Sequence, residues 1–198
     1  MIELRLGFLA SHSGTNMQAI IDSVKSGYFK AHLCAVISNN SQSGALERAR
    51  KEGIPAFHIS EKTHPGKVSE QIIDIFDRYK VNTIVLAGYM KKLEPFVIEH
   101  FSGRVLNIHP ALLPKFGGEG MYGINVHKAV IEAREKVSGA TVHLVNADYD
   151  KGRILMQMEV DVLPNDTPES LAERVLNIEH KLYPEVLKKI SLGEIIIP

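Results

Sequence analysis

The chain has 198 residues, of which 44% are hydrophobic and 23% charged, values typical of a globular protein with one domain or two small lobes. Basic and acidic residues are balanced at 23 each, so the net charge points to neither nucleic acid nor a membrane surface as a partner. The lone cysteine, Cys34, excludes an internal disulfide framework and fits a reducing compartment. The amino terminus has a strand pattern instead of a signal peptide, and no apolar stretch is long enough to span a membrane, so we expect a soluble, cytoplasmic protein.

Apolar runs alternate with helical patterns through about the first 110 residues. The runs are LRLGFLAS, AHLCAVIS, PAFHIS, NTIVLAG and RVLNIHP. Helical patterns follow the first three, in NMQAIIDSVKSG, GALERARKEG and VSEQIIDIFDRY. This alternation predicts a parallel, doubly wound sheet whose strands are covered on both faces.

The second half has a different pattern. GATVHLV and GRILMQMEVDVL are two strands close enough in sequence to pair antiparallel. A helix is expected to follow, with Thr167 as its N-cap and Pro168 at its first position. The predicted fold is therefore α/β, a doubly wound and mostly parallel sheet with an antiparallel extension in the C-terminal half. No repeat or linker divides residues 1–198, so we expect one domain.

Two polar residues interrupt the apolar run at 105–109. Asn107 and His109 are two apart, so on a strand they point to the same face, and Pro110 then ends the hydrogen-bond ladder. Ligands of such sheets bind at the carboxyl ends of the strands. Because unpaired polar groups are costly to bury, the pair predicts a functional site there.

The turn after the first strand, SHSGTNMQA, is a candidate anion site. Gly14 permits a tight turn, and Thr15 and Asn16 fall where a helix begins, so exposed N–H groups can bind a phosphate. The turn lacks the lysine of a P-loop and the pattern of a dinucleotide site, which favours a single phosphate. The alternative, that Thr15 or Asn16 merely caps the helix, is about equally well supported by the residues alone.

Three other segments remain ambiguous from the residues themselves. Asp150 in ADYDKGRIL is explained most simply as an ordinary Asx turn. His143 alternates with apolar residues and either faces a cleft or is buried, with a supporting role preferred. Glycine-rich FGGEGMYG, at 116–123, is either a mobile lid or a connector.

Several of these segments together resemble the folate-dependent formyltransferases. NIHPALLP, GATVHLV, DYDKGRILMQ and EHKLYP carry the resemblance, and SGTN and VLAGYMKKL extend it over nearly the whole chain. The match is closest to the branch that formylates glycinamide ribonucleotide. It implies transfer of a formyl group from 10-formyltetrahydrofolate, as co-substrate, to the amine of 5′-phosphoribosylglycinamide in purine biosynthesis. No metal is implied, and the oligomeric state stays open.

The resemblance also implies roles for individual residues. Asn107, His109 and Asp150 match the catalytic triad of the family, with the first two stabilising an oxyanion. Asp150 is expected to hold His109 protonated and to assist proton transfer. The substrate phosphate and ribose are assigned to Gly14, Thr15, Asn16 and Glu179. The segment lining the folate pocket is Tyr89, Met90, Lys91, Lys92 and Leu93.

Two features depart from the family pattern. The loop FGGEGMYGINVH is longer than in many members, and the basic residue for the folate glutamate tail is either Lys62 or Lys67.

Other functions share part of this signature. A formyltetrahydrofolate hydrolase would use the same triad but normally has an amino-terminal regulatory domain, and a methionyl-tRNA formyltransferase needs a carboxy-terminal RNA-binding domain. A metal-dependent hydrolase would use His109, His143 and Asp150 as ligands. A non-catalytic nucleotide-binding module leaves the strand-end pair unexplained.

Overall fold

A mixed sheet of seven strands is the framework of the computed structural model, which describes residues 2–148 and 150–198. The strands are β1 (Leu4–Ala10), β2 (Ala31–Ser38), β3 (Ala56–His58), β4 (Thr83–Leu86), β5 (Val105–His109), β6 (Val137–Leu144) and β7 (Ile154–Asp161). They are ordered β3-β2-β1-β4-β5-β6-β7, with parallel pairing up to β5 and antiparallel pairing of β6 with both β5 and β7. The predicted parallel sheet with an antiparallel extension is confirmed.

Six helices accompany the strands within those described residues. They are α1 (Thr15–Lys25), α2 (Gly44–Lys51), α3 (Val68–Arg78), α4 (Pro95–His100), α5 (Ile124–Glu132) and α6 (Pro168–Leu192). The short helix α4 has no counterpart in the sequence prediction, because six residues give too little apolar periodicity to read. In the part of the chain that is described, no helix has both the length and the apolar character needed to cross a bilayer.

Two hydrophobic clusters cover the faces of the sheet. One joins the sheet to α1, α2 and α6, and the other joins it to α3 and α4. Strand β5 contributes to both, since Leu106 and Ile108 lie in the first cluster and Val105 in the second. This alternation places Asn107 and His109 on the face opposite Leu106 and Ile108, as predicted.

The last helix begins where the sequence predicts and ties the sheet together. Thr167 is its N-cap, and its side chain accepts a hydrogen bond from the backbone N–H of Ser170. Further along the helix, the fully buried Tyr183 hydroxyl lies 2.9 Å from the carbonyl oxygen of Leu106 and 3.2 Å from that of Leu86. This contact ties the carboxyl end of β4 to the neighbouring strand β5.

The carboxyl ends of the parallel strands form the edge of the sheet where a ligand is expected. Strand β1 lies between β2 and β4, so the strand order reverses at β1. In sheets of this kind, a crevice opens at the carboxyl ends of the strands where the order reverses. The SGTN turn follows β1, the segment at 89–93 follows β4, and His109 ends β5. Parallel pairing therefore places the three predicted site segments along one edge.

Candidate functional site

His109 lies at the end of β5, where it is only 3% exposed. Its Nε2 is 2.7 Å from the carbonyl oxygen of Phe116. Because a carbonyl oxygen can only accept, Nε2 must carry a proton. The other ring nitrogen, Nδ1, lies 3.5 Å from Oδ2 of Asp150.

Asp150 holds its carboxylate between two imidazoles. Oδ1 lies 3.5 Å from Nε2 of His143, and Oδ2 accepts a hydrogen bond of 3.0 Å from the backbone N–H of Gly118. Burial alone would raise the pKa of Asp150, but the hydrogen bond with His143, the charge of His109 and the Gly118 N–H together lower it. The carboxyl is therefore ionised at neutral pH.

The interpretation of Asp150 as an ordinary Asx turn is wrong. The Asx turn of this segment is made by Asn146, whose side-chain oxygen accepts from the backbone N–H of Asp148. Asp150 itself adopts a left-handed backbone conformation with φ 54° and directs its carboxylate towards the Gly118 N–H.

His143 is buried beside Asn107. The two residues are paired directly across β5 and β6. Nδ1 of His143 lies 2.9 Å from the carbonyl oxygen of Leu144, so Nδ1 donates, while Nε2 lies 3.2 Å from Nδ2 of Asn107. When His143 is neutral, Nε2 accepts one N–H of Asn107 and the second N–H of the amide remains for a ligand.

The protonation of His109 differs from the sequence-based interpretation. That interpretation has the nearby carboxylate hold His109 protonated. Burial lowers the pKa of His109, and its effect outweighs the rise caused by Asp150 and the Phe116 carbonyl. The neutral imidazole, with its proton on Nε2, is therefore the form at neutral pH.

A third buried histidine, His127 on α5, accompanies His109 and His143. It is 4% exposed, and its Nδ1 has no hydrogen-bond partner among the described residues. Burial first, and then the charge of His109, lower the pKa of His127 to about 4. No role for His127 could be predicted from the sequence, because a histidine in a helical pattern looks the same whether it faces solvent or a site.

The start of α1 is not closed by a side chain. Gly14 is the N-cap, with a left-handed φ of 71°, and no side-chain oxygen caps the helix. The alternative in which Thr15 or Asn16 serves only as a cap is therefore wrong. A side chain at Gly14 would meet Ala45, because a Cβ there lies 2.8 Å from Cα of Ala45. Arg48 holds the turn from the other side, donating from Nε to the Ser13 carbonyl at 2.9 Å.

Glu179 lies next to that turn although it is 163 residues away from Asn16 in sequence. The amide of Asn16 donates a 2.7 Å hydrogen bond to Oε2 of Glu179. Burial raises the pKa of Glu179 to about 7, and the hydrogen bond from Asn16 offsets only part of this rise. The amide oxygen of Asn16 is buried without a partner among the described residues, so it is available to a ligand donor.

The segment after β4 borders a cavity of about 360 Å³. Of the five residues assigned to folate, the cavity wall includes Tyr89, Lys91, Lys92 and Leu93. Met90 does not line the cavity and is 40% exposed, while its backbone N–H donates to the Ser11 hydroxyl at 2.9 Å. Of the two candidates for the glutamate tail, Lys62 lines the cavity, whereas Lys67 is the N-cap of α3.

The predicted residues thus fall into three neighbouring groups. Asn107, His109, Asp150 and His143 form one contiguous cluster of polar side chains, the Gly14 turn lies with Glu179, and the 89–93 segment lines the cavity. Over residues 2–148 and 150–198, no three His, Cys, Asp or Glu side chains are arranged to hold a metal ion.

Known proteins resemble this chain over most of its length. The family model described as formyl transferase matches residues 4–187. A chloroplastic phosphoribosylglycinamide formyltransferase of Arabidopsis thaliana is 44% identical over 92% of this chain, which spans 64% of that protein. The phosphoribosylglycinamide formyltransferase of Haemophilus influenzae is 37% identical, covering 96% of this chain and 89% of its own length. The solved glycinamide ribonucleotide transformylase 1 of Symbiobacterium toebii has a TM-score of 0.92 at 37% identity, covering 99% of this chain and 91% of that one.

The buried carboxyl of Glu179 makes folding stability depend on pH. Its pKa of about 7 lies above the ordinary value of 4.5, so the stability that the neutral carboxyl confers is complete below about pH 4.5 and is lost as pH rises through about 7. We expect Glu179→Gln, which cannot ionise, to gain stability over the parent by up to about 3 kcal/mol at pH 8 but not at pH 4.5. Urea unfolding at both pH values measures this.

Glu173→Gln, an exposed change on the same helix, serves as the control and should differ little from the parent at either pH. An equal effect of Glu179→Gln at both pH values would contradict the assignment of a raised pKa.

Proposed function

We propose that this chain, which belongs to the formyl transferase family, transfers a formyl group from 10-formyltetrahydrofolate to the amine of 5′-phosphoribosylglycinamide in purine biosynthesis. We assign this activity to one domain over residues 1–198. The observation that carries the proposal is the cluster of Asn107, His109 and Asp150 at the carboxyl end of β5, on the same sheet edge as an uncapped helix start. Relatives that share most of the chain's length have this activity in their names.

The reaction proceeds in this proposal by direct attack of the amine on the formyl carbon. Side by side binding of the two substrates supplies effective concentration, so no covalent enzyme intermediate is required. As the carbon–nitrogen bond forms, the carbonyl electron pair moves to oxygen. The second N–H of Asn107, the one not directed at His143, donates to that oxyanion.

Proton transfer is assigned to Nδ1 of His109. Since Nε2 already carries a proton and the ring is neutral, Nδ1 has a free lone pair that takes the proton of the attacking amine, directly or through water. The resulting imidazolium is stabilised by the Asp150 carboxylate, and its Nδ1–H donates to the oxyanion. It then passes the proton to the folate nitrogen, the bond from carbon to that nitrogen breaks, and the carbonyl forms again.

The remaining groups are assigned to binding. The N–H groups of Gly14, Thr15 and Asn16 hold the substrate phosphate, and Glu179 with Asn16 binds the polar part of the same substrate. The folate is assigned to the cavity beside 89–93, with Lys62 nearest to its glutamate tail. His143 orients Asn107 and Asp150. A cytoplasmic location and the absence of nucleic-acid and membrane partners stay predictions.

Transfer and hydrolysis are separated by one assay. Because a bound amine displaces the competing water, we expect slow formyl loss from 10-formyltetrahydrofolate with the protein alone and fast loss once glycinamide ribonucleotide is added. The formyl carbon should then be found on the glycinamide nitrogen. Rapid release of formate that is indifferent to the ribonucleotide would overturn the proposal in favour of a hydrolase. If chelation removed the activity, a metal-dependent hydrolase would gain support.

Loss of either proton-handling group should slow turnover without unfolding the protein. We expect His109→Ala and Asp150→Asn each to lower kcat by about a hundredfold or more, the usual scale for removing one acid–base or oxyanion group. Matched controls are His32→Ala, at an exposed ion pair, and Asp148→Asn, two residues from Asp150. Near-normal turnover of a folded His109 or Asp150 variant would remove that residue from the mechanism.

The phosphate site is tested at the two ends of one helix. Gly14→Val places a side chain against Ala45 and should raise KM for the ribonucleotide strongly while leaving folate affinity nearly unchanged. Gly27→Val, past the other end of α1, has a similarly positive φ of 78° with open space around it and should leave both affinities unchanged. Inorganic phosphate should compete with the ribonucleotide and not with the folate. Equal weakening of both substrates by Gly14→Val would indicate a collapsed site instead.

A further inference from the structure

The glycine-rich loop contacts both members of the His109–Asp150 pair through its backbone. The carbonyl oxygen of Phe116 lies 2.7 Å from Nε2 of His109, and the N–H of Gly118 lies 3.0 Å from Oδ2 of Asp150. We call residues 116–118 the backbone brace. The family resemblance leaves this longer loop without a role, and the contacts supply one.

The conformation of the brace depends on its residues. Phe116 has a φ of 56°, which is uncommon for a residue with a side chain, and its ring packs against the first core cluster. Gly117 lies so close to the site that a Cβ would be 2.5 Å from Cδ2 of Leu113 and 3.2 Å from Cβ of Asp150. The partly buried ring of Phe116 thus anchors its carbonyl, and the missing side chain at Gly117 lets the loop lie against Asp150.

We propose that the backbone brace is a positioning element for the transfer reaction, in which the Phe116 carbonyl fixes the proton of His109 on Nε2 and the Gly118 N–H orients the Asp150 carboxylate. Nδ1 of His109 is then the nitrogen that exchanges protons with the substrates. This inference rests on the proposed function for its catalytic meaning, but the tautomer is a property of the protein alone.

Displacing the brace has a defined consequence. A neutral imidazole without the carbonyl partner can place its proton on Nδ1, where it faces Asp150, and Nδ1 then has no lone pair for the amine proton. The Phe116 carbonyl raises the pKa of His109 and the Gly118 N–H lowers that of Asp150, so its loss moves the two values in opposite directions. Turnover should suffer far more than substrate binding, because the phosphate turn lies elsewhere.

The test compares two glycines of the same loop. Gly117→Ala places a methyl group against the side chains of Leu113 and Asp150, whereas Gly120→Ala has a φ of 83° but open space around its Cβ. We expect Gly117→Ala to lower kcat by about tenfold or more, with KM for the ribonucleotide changed less than threefold, and Gly120→Ala to stay within about twofold of the parent. The pH profile of kcat should shift for Gly117→Ala only.

Nitrogen NMR of the histidine side chains reports the tautomer without any substrate. In the parent, His109, assigned by its loss in His109→Gln, should show a protonated Nε2 and an unprotonated Nδ1. Gly117→Ala should move it towards the Nδ1–H form, and Gly120→Ala should not. An Nδ1–H tautomer in the parent, or an unchanged tautomer and kcat in folded Gly117→Ala, would overturn the inference.

A second variant covers the case in which Gly117→Ala does not fold. Phe116→Gly keeps the positive φ without strain and removes only the ring that anchors the carbonyl. It should therefore also shift His109 towards the Nδ1–H tautomer and lower kcat. If the parent shows the expected tautomer but no formyl transfer, the proposed function fails while the brace stands. If transfer occurs and Phe116→Gly changes neither tautomer nor kcat, the brace fails while the function stands.

Discussion

The half-buried carboxylate of Asp150 is the charge around which the site is arranged. A buried carboxylate is costly unless hydrogen bonds and nearby polar groups compensate it; here the Gly118 N–H donates a hydrogen bond to it, and the rings of His109 and His143 each lie 3.5 Å away. Delivering it requires an unusual turn between β6 and β7. Asp150 is left-handed, and Gly152 passes so near the carbonyl of Leu144 that a Cβ would overlap its oxygen. The turn, the two strands and the glycine-rich loop therefore fit together only around that side chain.

The parts of this arrangement that follow local rules were predictable. Alternation along a strand determines that Asn107 and His109 share a face, and Pro110 determines where the strand ends. Both features could therefore be predicted from a few adjacent residues. The same holds for the order of strands and helices and for the Thr167 cap of α6. Where parallel strands end is also where ligands bind, so the location of the site followed from the fold class.

What could not be predicted depends on contacts between distant segments or on backbone atoms. The partner of Asn16 is Glu179, and nothing in either local sequence pairs them. The contacts of the Phe116 carbonyl and the Gly118 N–H are made by backbone atoms, which every residue type has. A glycine-rich segment therefore looks like a simple connector until its path in the fold is known. The neutral state of His109 was missed for a related reason. A carboxylate nearby in the family pattern suggests a raised pKa, but burial, a property of the whole fold, outweighs it.

The two imidazoles beside Asp150 turn opposite ring nitrogens towards it, and this difference gives them different roles in the proposed reaction. A backbone carbonyl binds the outer nitrogen of each ring, Nε2 in His109 and Nδ1 in His143, so the inner nitrogen of each faces the carboxylate. The inner nitrogen of His143 is occupied by the Asn107 amide, whereas that of His109 has no such donor in the described part of the chain. In the proposed transfer, a proton released in this cluster is therefore accepted at His109, next to the charge that stabilises it, while His143 keeps Asn107 aimed at the oxygen of the reacting carbonyl.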